Sequence, residues 1–187
     1  MTYPKLETER LLLRGFLLSD APRVQALAGD QEIARVTLNI PHPYADGLAE
    51  SWISSHPKDF ELGRSAVFAI TERVTHELLG AVGLTINRHH ARAELGYWIG
   101  RPFWGKGYAS EAATRLLEYG FTELRLNRIH AAHFSENPAS GRVMQKIGME
   151  PEGLLKEHYL KWDHFVDSVI YGIQASAWHG KKDPSSP

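Results

Sequence analysis

Residues 98–111, Trp-Ile-Gly-Arg-Pro-Phe-Trp-Gly-Lys-Gly-Tyr-Ala-Ser-Glu, place a glycine turn between a strand and a helix. Glu94 to Gly100 reads as a buried strand, Gly105, Lys106 and Gly107 as the turn, and Tyr108 as the start of an amphipathic helix. A helix N-terminus carries unpaired N–H groups and the positive end of the macrodipole, which suits it to a phosphate. Glycines let the main chain approach such a group without a Cβ in the way. The segment therefore reads as a pyrophosphate cradle.

Two nucleotide motifs are excluded. The dinucleotide fingerprint needs a third glycine where Ser110 stands, and an acidic residue on a second parallel strand that is not found. The triphosphate loop G-x-x-x-x-G-K-S/T is matched by Gly100, Gly105 and Lys106, but Gly107 replaces the hydroxyl that would hold magnesium. What remains is Trp104-x-x-Gly107-x-Ala109. Taken alone it also fits an ordinary strand–turn–helix junction.

A second segment, 134–150, reads Phe-Ser-Glu-Asn-Pro-Ala-Ser-Gly-Arg-Val-Met-Gln-Lys-Ile-Gly-Met-Glu. Asn137 suits an N-cap, Pro138 the first helical position and Gly148 a left-handed C-terminal cap. Val143, Met144 and Ile147 make an apolar stripe at helical spacing.

Trp104-x-x-Gly107-x-Ala109 resembles the acyl-CoA signature Q/R-x-x-G-x-G/A of the GCN5-related N-acetyltransferase (GNAT) superfamily, with Trp104 in the first slot. Asn137-x-x-Ser140, followed by Lys146-x-Gly148-Met149, is similar to the second cofactor segment of the same superfamily. Glu7 to Arg14, Glu94 to Ile99 and the turn at Trp162-Asp163 resemble the branch that acetylates ribosomal-protein N-termini, so the likeness covers residues 7–175. It implies an α/β (α+β) fold. Its central mixed, mostly antiparallel sheet has about seven strands, is splayed at the middle and is flanked by about four helices.

The resemblance also implies acetyl-CoA as cosubstrate, without a metal. Main-chain N–H groups at Tyr97, Trp98 and Ile99 would hold the pantetheine like an extra strand. Trp104, Gly105, Lys106, Gly107, Tyr108 and Ala109 would take the diphosphate, and Asn137 and Ser140 the arm near its sulfur. Gly96 and Gly100 fit a disrupted ladder, though a strand glycine can mark only a bulge. Of the cations that could meet phosphates, Arg101, Lys106, Arg142 and Lys146, at least two read as solvated surface.

Direct acetyl transfer needs a bound thioester, a neutral amine, a stabilised oxyanion and a proton for the departing thiolate. Glu94 lies where several relatives carry the base, and a carboxylate on a central strand is expected to be raised in pKa. Pairing with Arg92 or Arg101 is the other reading of it. Ser140 is the candidate acid, and Tyr159 a second candidate that also fits a wall residue.

The rest of the chain bounds these readings. With 187 residues, 43% hydrophobic and 23% charged, it reads as one globular domain over 1–178 and a disordered tail over 179–187. A net charge of −1 argues against general nucleic-acid binding. There is no cysteine, hence no disulfide, thiolate site or thioester on the enzyme. No stretch approaches the roughly 18 apolar residues of a membrane span, and residues 1–6 lack a signal-peptide core, so a cytosolic protein is expected, either monomer or homodimer. Ten histidines are present, but the pairs His89/His90 and His130/His133 fall on opposite strand faces rather than in a metal site.

Helices are expected at Asp20–Ala28 with Ser19 as N-cap, from about Asp46, at Tyr108–Glu123 and after Asn137. Strands are expected at 11–14, 65–71, 78–87, 93–99, 128–135, 154–162 and 165–173, with a short helical piece in the loop 29–44. The acceptor falls to residues 29–62 and 154–168, where Asp30, Glu32, Asp46, Glu50, Asp59 and Glu61 against Arg35 and Lys58 give the first a mild negative excess. Trp52, Phe60, Tyr97, Trp98, Tyr159 and Trp162 fit either an acceptor groove or the core. The expected acceptor is a protein or peptide α-amine. Rivals are a small amine (antibiotic, polyamine, amino acid) and a non-catalytic acyl-CoA-binding module.

Overall fold

The computed structural model describes residues 3–178, so the tail expected to be disordered lies outside the described residues. The strands are β1 (Leu6–Glu7), β2 (Leu11–Arg14), β3 (Ser65–Glu72), β4 (Leu78–Asn87), β5 (Arg92–Ile99), β6 (Arg128–Phe134), β7 (Glu150–Lys161) and β8 (His164–Gln174). The helices are α1 (Ala21–Ala28), α2 (Gln31–Val36), α3 (Leu48–Glu61), α4 (Tyr108–Thr122) and α5 (Pro138–Lys146). All eight strands join one sheet in the order β1-β2-β3-β4-β5-β6-β8-β7. Every pairing is antiparallel except β5 with β6, which α4 connects.

The expected mixed sheet is present with one strand and one helix more than foreseen. Strand β1 is two residues long, pairing Leu6 with Leu13 and Glu7 with Leu12, too short to show a period of its own. Helix α2 is the short helical piece of the loop. Strand β4 is buried on both faces from Leu78 to Val82, because α4 covers one face while α1 and α3 cover the other. On the α4 face, Ala112, Ala113, Leu116 and Leu117 are wholly buried against Phe68, Val82, Leu84 and Leu95. A smaller cluster of Val24, Ala28, Ala49 and Ile53 packs on Ala69 and Leu78.

Ser19 is not the cap of α1. The chain makes a 3-10 turn over Leu18–Asp20, and Asp20 holds the N-cap position without bonding the helix amides. Its carboxylate instead takes two hydrogen bonds from Arg14, at 2.7 and 2.9 Å, and one from the Leu17 amide at 2.8 Å. A charged partner on β2 outcompetes the local cap. Helix α3 starts at Leu48, after Gly47 in the left-handed region, rather than at Asp46. Among the described residues, no helix is long and apolar enough to cross a membrane.

Candidate active site

The glycine turn is open and held from behind. Gly105 and Gly107 have φ of 75° and 82°, which favours glycine, and a Cβ on Gly105 would meet nothing within 4 Å. Among the described residues, the main-chain N–H groups from Gly105 to Ser110 donate to no protein acceptor. Six amides, three in the turn and three opening the 15-residue helix, are thus left without a protein partner. This arrangement fits a diphosphate. Trp104 donates its indole N–H to the Ile99 carbonyl at 2.6 Å, tying the turn to the end of β5.

Arg10 is the brace behind the turn. Its guanidinium donates to the Lys106 carbonyl at 3.0 Å, lies 4.7 Å over the Tyr108 ring and pairs with Glu111 at 2.6 Å. The Thr8 hydroxyl donates to the other Glu111 oxygen, also at 2.6 Å. Burial pushes the Glu111 carboxyl up, but the bonds from Thr8 and Arg10 outweigh it and hold it below its ordinary range. The Lys106 ammonium lies 5.5 Å over the Phe103 ring, and Arg101 sits 3.9 Å from Asp30. Both cations are turned away from the cavity, whereas Arg142 and Lys146 line it.

The splay has a defined origin. The parallel ladder runs Arg92–Arg128, Ala93–Ile129 and Glu94–His130, then stops, although β5 continues to Ile99 and β6 to Phe134. From Leu95 onward, the edge of β5 that faces β6 has no strand partner. The β4–β5 ladder stays continuous through Gly96, so Gly96 and Gly100 do not interrupt it. Helix α5 stands at the gap, capped by the Asn137 side chain, which accepts from the Ser140 amide at 3.3 Å.

The Tyr97 side chain reaches α5. Its hydroxyl lies 2.8 Å from Ser140 Oγ and donates to the Ser140 carbonyl at 3.0 Å. Burial pushes the phenol up to about 12, against the hydrogen bond from Ser140, so it stays protonated at neutral pH. The sequence assigned Tyr97 to the pantetheine through its backbone, and its ring to either an acceptor groove or the core. Nothing in the spacing signalled the contact with Ser140, because the bond crosses from a strand to a helix three elements later.

A cavity of about 1100 Å³ joins these parts and passes from one face of the sheet to the other. On the α4 and α5 side it is lined by Tyr97, Gly105, Gly107, Tyr108, Ala109, Asn137 and Ser140. On the α1 and α3 side it is lined by Glu94, Gly96 and Trp98, with the 36–41 loop and Trp52 opposite. Gly96 keeps the floor between Glu94 and Trp98 open, since a Cβ there would meet nothing within 4 Å. Glu94 is exposed rather than buried, because its strand face is left uncovered at this point. The burial expected of a central-strand carboxylate is therefore absent. Glu94 pairs with neither Arg92 nor Arg101.

Tyr159 lines the cavity from β7, its ring 6.1 Å from that of Phe134, and Ser140 bonds Tyr97 rather than Tyr159. Sequence reading missed Lys161. This side chain is buried at 5% exposure, and its ammonium donates to the carbonyls of Thr37 (2.7 Å), Leu38 and Ile40 (3.4 Å each). Burial pushes its pKa down. A polar tip on an otherwise exposed hairpin strand carries no sequence mark of such a bond. Among the described residues, no group of three or more metal-ligating side chains occurs.

Comparison with known proteins agrees with this geometry. The acetyltransferase (GNAT) domain model matches residues 10–150. The uncharacterized N-acetyltransferase p20 of Bacillus licheniformis is 34% identical over 177 residues, 94% of this chain and 98% of that protein. The [ribosomal protein uS5]-alanine N-acetyltransferase of Escherichia coli is 26% identical over 118 residues, 62% of this chain and 61% of that protein. The spermidine N-acetyltransferase of Vibrio cholerae, solved with CoA and spermine, superposes with a TM-score of 0.78 at 25% identity. That match covers 91% of this chain and 98% of that one. An open cradle of unpaired amides, a sheet splayed beside it and a match over most of the chain lead to one assignment: the chain belongs to the GNAT family and is an acetyl-CoA-dependent N-acetyltransferase.

Proposed function

We propose that this single-domain enzyme moves the acetyl group directly to a primary amine, the α-amine of a protein or peptide N-terminus, in the cytoplasm. The observation that carries this reading is the continuous cavity from the unpaired amides at Gly105–Ser110, through the β5–β6 gap, to Glu94. It gives a thioester and an amine access to the same point from opposite faces. The similarity to an N-terminal alanine acetyltransferase favours an α-amine acceptor, and the similarity to a spermidine acetyltransferase keeps a small amine as the rival.

The residues divide the work as follows. The turn from Trp104 to Ala109 binds diphosphate through its amides. Arg142 and Lys146 supply charge nearby, and Asn137 orders the start of α5. The open edge of β5 at Tyr97, Trp98 and Ile99 binds the pantetheine arm and polarises the carbonyl. Glu94 accepts the proton of the incoming ammonium, directly or through water. The neutral nitrogen attacks the thioester carbon, the oxyanion forms against main-chain N–H groups, and the C–S bond breaks. Ser140, held 2.8 Å from the Tyr97 hydroxyl, delivers a proton to the sulfur and regains one from water, while the nitrogen loses its second proton to solvent as the amide forms. Tyr159 stays the second candidate for this proton.

An acceptor screen tests the reading. N-terminal peptides are expected to release thiol from acetyl-CoA faster than spermidine or an aminoglycoside, and a wide preference for the small amines overturns the α-amine assignment. The chain has no cysteine, so thiol reagents report coenzyme alone.

Lys161 gives a second check. Its ammonium ties β7 to the 37–40 loop, which lines the acceptor half of the cavity. Bonds to a charged donor contribute about 1.5–3 kcal/mol. Lys161→Ala is expected to raise the acceptor KM roughly tenfold with the acetyl-CoA KM within about twofold, and Lys161→Arg to recover part of it. Steady-state kinetics with each substrate varied measures both.

A further inference from the structure

The acceptor half of the cavity is mainly apolar, although the 29–62 segment that helps to build it carries a mild negative excess. None of Asp30, Glu32, Asp46, Glu50, Asp59 and Glu61 lines the cavity. Asp30 caps α2 and faces Arg101, Glu32 pairs with Arg35 at 3.1 Å, Asp46 accepts from Gln25 at 2.8 Å, and Asp59 lies 4.0 Å from Arg64. The carboxylates in the lining are Glu94 and Glu136, and Glu136 adjoins Asn137 at the cofactor end. Glu94 thus faces the acceptor as a single negative charge.

Around it stand Ile33, Leu38, Ile40, Tyr44, Trp52 and Trp98. Leu38 is 41% exposed, and Ile40, Tyr44, Trp52 and Trp98 are half-buried and packed against the α1–α3 cluster, so the wall is fixed yet reachable. Arg35 also lines this half. A chain carrying several positive charges would meet one carboxylate, one guanidinium, the uncharged Thr37, Asn39 and Thr85 and an otherwise apolar wall, and its second and third ammonium groups would lose hydration without a charged partner.

We infer that the acceptor is a single ammonium on a bulky apolar body: an α-amine whose own side chain is branched aliphatic or aromatic and is seated between Trp52, Trp98 and the 38–40 loop. The inference rests on the amine-acetyltransferase reading and names its substrate class. Burying one aliphatic side chain in a fitted pocket separates substrates by a factor of ten or more, because each methylene contributes roughly tenfold. For a polyamine, contact of its methylenes with such a wall is offset by the desolvation of its further ammonium groups.

The test compares the tripeptide amides Gly-Ala-Ala, Leu-Ala-Ala and Phe-Ala-Ala with spermidine, using the full chain, acetyl-CoA and thiol release. The leucine and phenylalanine peptides are expected to exceed the glycine peptide and spermidine by about tenfold or more in kcat/KM. Trp52→Ala should compress the Leu-to-Gly ratio to about threefold or less. Trp52 also packs on Phe16 and His56, so Leu38→Ser on the exposed loop serves as a second variant that should narrow the same ratio without disturbing that cluster. Glycine peptide or spermidine matching the apolar peptides overturns the inference while leaving the transferase reading intact. An unchanged ratio in both variants overturns the placement of the side chain. If no amine releases thiol although calorimetry shows acetyl-CoA bound, both readings fall.

Discussion

Glu94→Gln is expected to lower kcat about a hundredfold or more at pH 7, with the KM for acetyl-CoA unchanged within about twofold, since a positioned base contributes 10²–10⁴-fold. The substitution keeps the shape of the side chain and removes its proton affinity. Glu94 stands on the α1–α3 face, while the amides proposed for the diphosphate lie on the α4 face, so coenzyme binding is insulated from the change. Among the described residues Glu94 has no ion-pair partner, so its loss frees no buried cation. The pH profile separates a base from a mere contact. A peptide α-amine loses its proton near pH 8 unaided, so the deficit of the variant should shrink as pH rises through that value. A rate within about twofold of the parent at pH 7, or a deficit constant from pH 7 to 9, removes Glu94 from the role of base.

The parts of the molecule that local physics dictates were legible in the sequence. The glycine turn needs positive φ at Gly105 and Gly107, and those glycines are visible as letters. Asn137 caps α5 through a bond three residues away, and Ala112, Leu116 and Leu117 bury the face that their spacing marks. What escaped depends on contacts distant in sequence. Ser140 meets Tyr97 across the β5–β6 gap, Lys161 meets the 37–40 loop, and Arg10 meets Glu111 and the Lys106 carbonyl. The opening from Glu7 to Arg14 was recognised as a pattern, yet its role as brace of the turn is set only when β2 lies beside α4. Charge was uninformative for a related reason. A count of acids over 29–62 carries no direction: Asp30, Asp46 and Asp59 turn to partners outside the cavity, and Glu32 pairs with Arg35 without lining the cavity itself. Only the lining decides what an acceptor meets.

His56 makes a prediction about stability that is independent of catalysis. It lies on α3 with 4% exposure, its ring 4.4 Å from Trp52 and 5.5 Å from Phe16, and both of its nitrogens lack a hydrogen-bond partner. Burial pushes its pKa down to about 4, with Asp59 opposing weakly. Above the unfolded value near 6.5 the ring is neutral in both states and costs nothing further. As pH falls below 6.5 the unfolded chain gains a proton that the folded chain refuses, so stability declines until about pH 4 and then levels off. The full loss is about 3 kcal/mol, of which about 2 kcal/mol is reached by pH 5. Asp20 and Glu111 are held below the ordinary carboxylate range, so their contribution disappears only at lower pH. The interval from pH 7 to 5 therefore reports the imidazole. Urea unfolding across that interval should show the decline in the parent. His56→Leu, which fills the site without a titrating group, should reduce it to a small residue. An equal decline in both proteins would mean that His56 is protonated while folded, through a rearrangement of α3 against Phe16 and Trp52.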